Sequence, residues 1–224
     1  MVNIEAILDL LDKCYLDGEL TEDNFYENVI DQIPRSVSLT YFTGATKLVL
    51  LFPGADYVVK IPFTGSGYLM EDYDEDTGEW YEHDNYCPFE GALYSGWNYC
   101  ETEVQLYELA AEYGVEQFFA KTELIGHVQG HPIYIQERAE IFEDTHGSHK
   151  HSNEVRKSVS EKCNYNNFNN FNTDWIADLF NYCTDEIFCE IMTFATYNLD
   201  DLHRGNIGYI DGRPVFVDYS GFND

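Results

Sequence analysis

Asp200-Asp-Leu-His-Arg-Gly-Asn206-Ile-Gly-Tyr-Ile-Asp-Gly-Arg-Pro-Val-Phe-Val-Asp218-Tyr-Ser-Gly221 is the stretch from which the rest of this 224-residue chain is read. The apolar run Pro214-Val215-Phe216-Val217 reads as a strand closing on Asp218, so the segment is a hairpin between two polar points. Asp201 and Asn206 are five residues apart. Phosphoryl transfer uses groups of these types, a carboxylate to accept the proton of an attacking hydroxyl and an amide oxygen and second carboxylate to grip a metal, and known templates for it set them at this spacing. On this reading Asp201 is the base, and Asn206 and Asp218 are the metal ligands.

Asp201-Leu-His-Arg-Gly-Asn206 resembles the catalytic loop of the protein-kinase-like superfamily. It is nearer to the aminoglycoside-phosphotransferase branch and the short early protein kinases of tailed phages than to eukaryotic kinases. The resemblance implies an α+β, two-lobe fold with an antiparallel-sheet N-lobe and a helical C-lobe, and ATP and Mg2+ as cofactors. Three departures accompany it. Leu199-Asp200 stands before the base instead of His-Arg, so control through an arginine gripping a phosphorylated loop is not implied. Tyr219-Ser220-Gly221 replaces the usual Phe-Gly and leaves the metal ligand intact. The sequence ends six residues after Asp218, which predicts a truncated C-lobe.

The upstream parts follow in order. Val58-Val59-Lys60-Ile61-Pro62 is an apolar strand whose lysine resembles the one that pairs the α and β phosphates. No Lys or Arg occurs between Ile61 and Ala120, so Lys60 has no local cationic competitor. Such a lysine needs a glutamate on the following helix to orient it. Glu103 is the candidate, because Glu103-Val104-Gln105-Leu106-Tyr107 sets apolar residues at helical spacing behind an acid. Glu101 is the rival, on a different face of that helix. Thr43-Gly44-Ala45-Thr46-Lys47 lies between strand-like residues 37–42 and 48–52, a hairpin tip placed to cover phosphates through backbone amides such as that of Gly44. It holds one glycine where the kinase signature has three, and an ordinary turn is the alternative. Residues 132–139 resemble the strand leading into the lobe hinge, where backbone groups of Glu137 and Ala139 would hydrogen-bond adenine.

Apolar residues make up 44% of the chain and aromatics 16%, which argues for a folded protein rather than an acidic tail. Forty-one acids against twelve bases give a formal net charge of -29, so the field repels nucleic acid, anionic membranes and ATP itself. Lys60 and bound Mg2+ must then neutralise the nucleotide locally, and a basic protein substrate or partner is drawn in. No direct nucleic-acid binding is expected. Solubility or a salty habitat accounts for the same charge without a partner. Six cysteines show no Cys-x-x-Cys pair, no run is long and apolar enough for a membrane, and residues 1–20 do not read as a leader. Reduced thiols and a cytoplasmic location are expected, in the host cytoplasm for a phage-encoded chain.

Ile4, Ile7, Leu8 and Leu11 recur at helical spacing, and Thr21 opens a second helix that Pro34 closes. The N-lobe is expected to span residues 1–138, with an acidic insertion at 64–99, and the C-lobe residues 139–224. Within the insertion, Asp72, Asp74 and Asp76 before Gly78 suggest a calcium loop, but the glycine is one position late, and a hairpin with Tyr73 and Trp80 on its arms is preferred. His146, His149 and His151 lie close together without a fourth ligand at zinc spacing, which favours a histidine-bearing loop. One long helix, capped near Thr173, carries Ile176, Leu179, Cys183, Ile187, Ile191 and Phe194 along a face and leads into the 201–206 loop. The function expected is a small Ser/Thr protein kinase, with a small-molecule phosphotransferase differing only in acceptor. The alternative is an acidic kinase-fold binding or inhibitor protein, including a DNA mimic, acting on a basic partner.

Overall fold

The computed structural model describes residues 3–14, 16, 18–44, 46–64, 69–74, 77, 79–84, 98–141, 157, 173–199 and 204–219. They form an α+β protein with two compact units, one made of Met1–Glu101 and Leu124–Ile135, the other of Thr102–Glu123 and Gln136–Asp224.

The first unit is built on helix α1 (Ile4–Leu11) and a five-stranded sheet. Asn3 caps α1, its side chain accepting from the Glu5 amide at 3.1 Å, and Ile7 and Leu11 turn inward. The sheet is ordered β1 (Thr40–Thr43), β2 (Lys47–Leu51), β3 (Tyr57–Pro62), β7 (His131–Glu137), β6 (Thr122–Val128). Strands β1, β2 and β3 run antiparallel in succession. Leu48, Leu50, Val59, Ile61 and Ile133 bury one face of the sheet with Ile7 and Leu11 in a continuous apolar core. Between β6 and β7, Gln129 and Gly130 both take positive φ, 49° and 91°, the geometry of a two-residue type I′ turn. The Gln129 side chain then straps the end of α1 to this turn, donating to the carbonyls of Asp12 (2.9 Å) and Cys14 (3.0 Å) and accepting from the Leu16 amide (3.1 Å).

The expected hairpin between Lys60 and Glu103 forms as β4 (Leu69–Asp74) and β5 (Glu79–Asp84), with Tyr73 opposite Trp80. Asp76 and Gly78 lie outside the described residues. Helix α3 (Tyr99–Glu112) follows, opened by Asn98, whose side-chain oxygen accepts from the Cys100 and Glu101 amides at 3.1 and 3.2 Å. It closes on Gly114 at φ 71°, with Val115 N–H bonded to Ala110 O and Gly114 N–H to Ala111 O, a Schellman ending.

Two expected helices are broken. The segment opened by Thr21 holds only the four-residue α2 (Phe25–Asn28) and a 3-10 turn, Ile30–Gln32. The long helix before residue 200 is α4 (Thr173–Tyr182) and α5 (Asp185–Asn198). Thr184 interrupts it as an N-cap, its hydroxyl accepting from the Ile187 amide at 3.3 Å, with Asp185 and Glu186 in the first turn favouring the new helix dipole. Cys14, Cys100 and Cys183 are in no disulfide, as expected, whereas Cys189 is disulfide-bonded, which departs from the expectation of reduced thiols. Among the described residues no helix is long and apolar enough to cross a membrane.

Candidate functional site

The hairpin read first in the sequence forms as β9 (Ile207–Ile210) and β10 (Arg213–Phe216), antiparallel, with Ile207 opposite Phe216. Asp211 and Gly212 make the turn, at φ 51° and 78°. One step past the last pair, the Val217 amide donates to the Asn206 carbonyl at 2.9 Å, so the ladder continues to the hairpin mouth. Asn206, buried, stands opposite Val217, and Asp218, half-buried, follows one residue on, so both lie at the same end of the hairpin. Asp200 and Asp201 lie outside the described residues, as do Ser220 and Gly221.

Several elements of the second unit hold this mouth in place. A third strand, β8 (Glu140–Ile141), pairs with β9. Gly208 permits that approach: a Cβ there would stand closer than 3.0 Å to the Glu140 carbonyl oxygen and 3.3 Å from Ile141 Cα. The Trp175 indole donates to Gly208 O at 3.2 Å and its ring packs on Phe216, centroids 4.9 Å apart. On the other side the Ala120 amide donates to Phe216 O at 2.8 Å, and Ala120, Val215 and Val217 form a small apolar cluster against which Ala139 rests. Tyr219, next to Asp218, is fully buried. Its hydroxyl donates to Ala120 O at 2.8 Å and its ring meets Phe119 edge-on at 5.1 Å. The backbone is thus fixed on both sides of Asp218.

Glu103 is 0% exposed and belongs to the same unit. Its Oε2 accepts from Thr122 Oγ1 at 3.0 Å and from Gln136 Nε2 at 3.2 Å, while Gln136 Nε2 also donates to Thr122 Oγ1 at 2.8 Å. A carboxylate inside a protein needs such donors, because its desolvation otherwise costs several kcal/mol. Its charge reaches Tyr219: burial pushes that phenol well above its usual range, and the Glu103 carboxylate pushes it further. Glu101, the rival, is half-buried and accepts from the Tyr134 hydroxyl at 2.8 Å in the first unit.

Lys60 is buried on β3 in the first unit, paired across the strands with Val49. Gly44 precedes β2, and its amide donates to Lys47 O at 3.2 Å, so that amide closes the turn rather than facing a ligand. The Glu137 amide donates to Lys121 O at 3.0 Å, but the Lys121 amide turns to the Glu137 carboxylate, also at 3.0 Å, and so does not take the Glu137 carbonyl. Ala139 shares its cluster with the hairpin strand β10. His146, His149 and His151 lie outside the described residues.

Chemically, the mouth presents an amide and a carboxylate, both hard oxygen donors of the kind Mg2+ takes beside phosphate oxygens and water. No group of three His, Cys, Asp or Glu suited to a metal occurs among the described residues. The structure brings Asn206, Asp218 and Glu103 into one unit through Tyr219 and Thr122, and sets Ala139 beside the hairpin. Thr122 had gone unread in the sequence, Gln136 was read only as part of the 132–139 strand, and Tyr219 only as a departure after Asp218. Tyr219 carried a signal, a large aromatic directly after Asp218 at the end of an apolar run. Thr122 and Gln136 carried none, being ordinary strand residues far from Glu103 in the chain. A scan against protein-family models and a search of curated proteins both return no match to this chain.

Proposed function

We propose that this chain is an ATP-dependent phosphotransferase with a protein-kinase-like, two-lobe fold, moving the γ-phosphoryl of ATP to a serine or threonine hydroxyl of a basic protein. The observation that supports the reading is the Val217–Asn206 hydrogen bond, which brings Asn206 and Asp218 to the same end of the β9–β10 hairpin. Asn206 and Asp218 would hold Mg2+, which when bound neutralises charge on the phosphates. Lys60 orients the α and β phosphates, and Glu137 O and Ala139 N–H receive the adenine edge. Asp201 accepts the acceptor's proton as the new O–P bond forms, the bond from the γ phosphorus to the β-phosphate oxygen breaks, and its electron pair leaves with ADP. Positioning and electrostatics supply most of such a rate.

A second reading, an acidic binding or inhibitor protein of the same fold, rests on the net charge of -29. Incubation with radiolabelled ATP and magnesium, alone and with basic protein acceptors, separates the two beside an Asp201→Ala control. Label transfer lost in Asp201→Ala is the expected result. A wild-type protein that captures basic proteins yet transfers no label and is not stabilised by Mg-ATP overturns the kinase reading.

A further inference from the structure

Strand β1 is an edge of the first unit's sheet, and all four of its residues, Thr40–Thr43, are exposed. In an antiparallel ladder, residues bonded to the neighbouring strand alternate with residues whose N–H and C=O point away from it. Gly44 N–H binds Lys47 O at 3.2 Å, so Phe42–Val49 and Thr40–Leu51, two and four steps on, are the bonded pairs of β1 and β2. The other side of β2 agrees. There Phe63 N–H binds Thr46 O at 2.8 Å, which makes Leu48–Ile61 and Leu50–Val59 the bonded pairs with β3. Tyr41 and Thr43 therefore turn their N–H and C=O to the open side of β1, an edge of the kind that pairs with another extended chain.

The flanks of this edge are aromatic. The Tyr41 ring lies 5.9 Å from that of Phe25 and 6.2 Å from that of Tyr26, and Tyr26 and Tyr41 are 47% and 38% exposed. Phe42, opposite Val49 on the sheet face away from the core residues Leu48 and Leu50, is 57% exposed. An added strand alternates its side chains between the two faces and so meets an aromatic surface on each. Charge selects the occupant. Between Lys13 and Lys47 the sequence holds six acids and one base, Arg35. Five of those acids, Glu19, Glu22, Asp23, Glu27 and Asp31, are exposed along the segment that carries Phe25 and Tyr26. A second copy of this chain, at net charge -29, is repelled, whereas Lys and Arg are drawn in and suit tyrosine rings with both their stems and their cationic ends. We propose that β1 is a docking edge for an extended, Lys- or Arg-rich segment of a partner protein, which pairs with Tyr41 and Thr43 through its backbone and lays alternate side chains on Tyr26–Tyr41 and on Phe42. The edge gives the basic protein of the reading above a place to bind but needs no nucleotide.

The probe is a fluorescein-labelled peptide of Arg-Thr repeats, beside a copy N-methylated at every peptide nitrogen, which keeps the charge but has no backbone N–H to give. Thr43→Pro removes an outward N–H that the β1–β2 ladder does not use, and Phe42→Ser removes an exposed ring. Anisotropy titrations, with melting curves to establish folding, should show the parent peptide binding each variant about tenfold or more weaker than wild type, and the methylated peptide binding wild type as poorly. Amide hydrogen exchange followed by NMR gives the answer in wild type alone: saturating peptide must slow exchange at Tyr41 and Thr43. Unchanged exchange there overturns the proposal, as does the absence of binding or a folded variant within about twofold of wild type. Methylated peptide bound within about twofold of the parent reports charge alone and overturns it as well. Protection of both amides in the free protein, together with dimerisation in sedimentation, assigns the edge to a second copy and has the same force. Each of these failures leaves the nucleotide reading standing, because no nucleotide is present.

Discussion

Replacing Tyr219 by Phe removes a single oxygen from beside Asp218 and tests how that aspartate is held. The ring contact with Phe119, centroids 5.1 Å apart, survives the change. What is lost is the 2.8 Å hydrogen bond to Ala120 O, leaving a buried carbonyl without that donor. Such a loss costs about 1–3 kcal/mol, which for a chain of this length lowers the melting temperature by about 5 °C. The pH dependence gives a second readout. Burial and the Glu103 carboxylate keep the Tyr219 phenol protonated well above its usual range, so the folded state retains a proton that the unfolded chain releases near pH 10. The stability this group contributes is fully present below that pH and is lost as pH rises toward the folded pKa. Phe has no proton to lose. Thermal denaturation followed by circular dichroism should therefore show the deficit of Tyr219→Phe at about pH 8 narrowing by about pH 11. Equal melting temperatures at the lower pH, or a gap that does not narrow, would refute the account of a buried, bonded phenol.

Gly208→Ala should shift the urea midpoint downward by the equivalent of about 1–3 kcal/mol, because the backbone of Glu140 cannot retreat as a side chain would; an unchanged midpoint would contradict the close approach of β8 to β9. Burial pushes the Cys14 thiol from 9.0 up to about 11, so its stabilising contribution is whole below pH 9 and drains away as pH rises toward 11. Melting temperatures of Cys14→Ala should fall less steeply across that window than those of wild type, and parallel curves would argue against the buried thiol. Asp218→Ala should abolish stabilisation by Mg-ATP, which in the wild type is about 2.7 kcal/mol at a hundred times Kd; a thermal shift equal to that of wild type would remove Asp218 from the site.

Much of this site was written in the local sequence. The β9–β10 hairpin needed only its apolar strand and Asp211-Gly212, a pair that takes positive φ readily, and the Asn206–Asp218 juxtaposition follows from the ladder once that turn is made. Strand β3 with Lys60 near its end and helix α3 with Glu103 inside it were likewise legible, because periodicity is set by neighbours a few residues away. The split between α4 and α5 was also locally encoded, in Thr184-Asp185-Glu186, but an apolar stripe running through both helices masked it.

Other features existed only once the chain had folded. That β7 enters the sheet beside β3, ahead of its hairpin partner β6 at the edge, depends on burying Ile133 with the α1 core. Thr122 and Gln136 meet Glu103 from 19 and 33 residues away, and their hydrogen bonds help to make a fully buried carboxylate tolerable. Tyr219 reaches Ala120 across 99 residues to fix Asp218. Lys47 read as the end of a hairpin tip, phosphate-covering or an ordinary turn, and only the fold buried it opposite Pro62 on the sheet face that carries Lys60. The sequence alone nominated candidate residues and the order of the elements that carry them, since backbone preferences act over a turn or two. Tertiary structure decided which of them are buried, what satisfies them and which stand together, because desolvation is settled by the whole fold and not by neighbours in the chain.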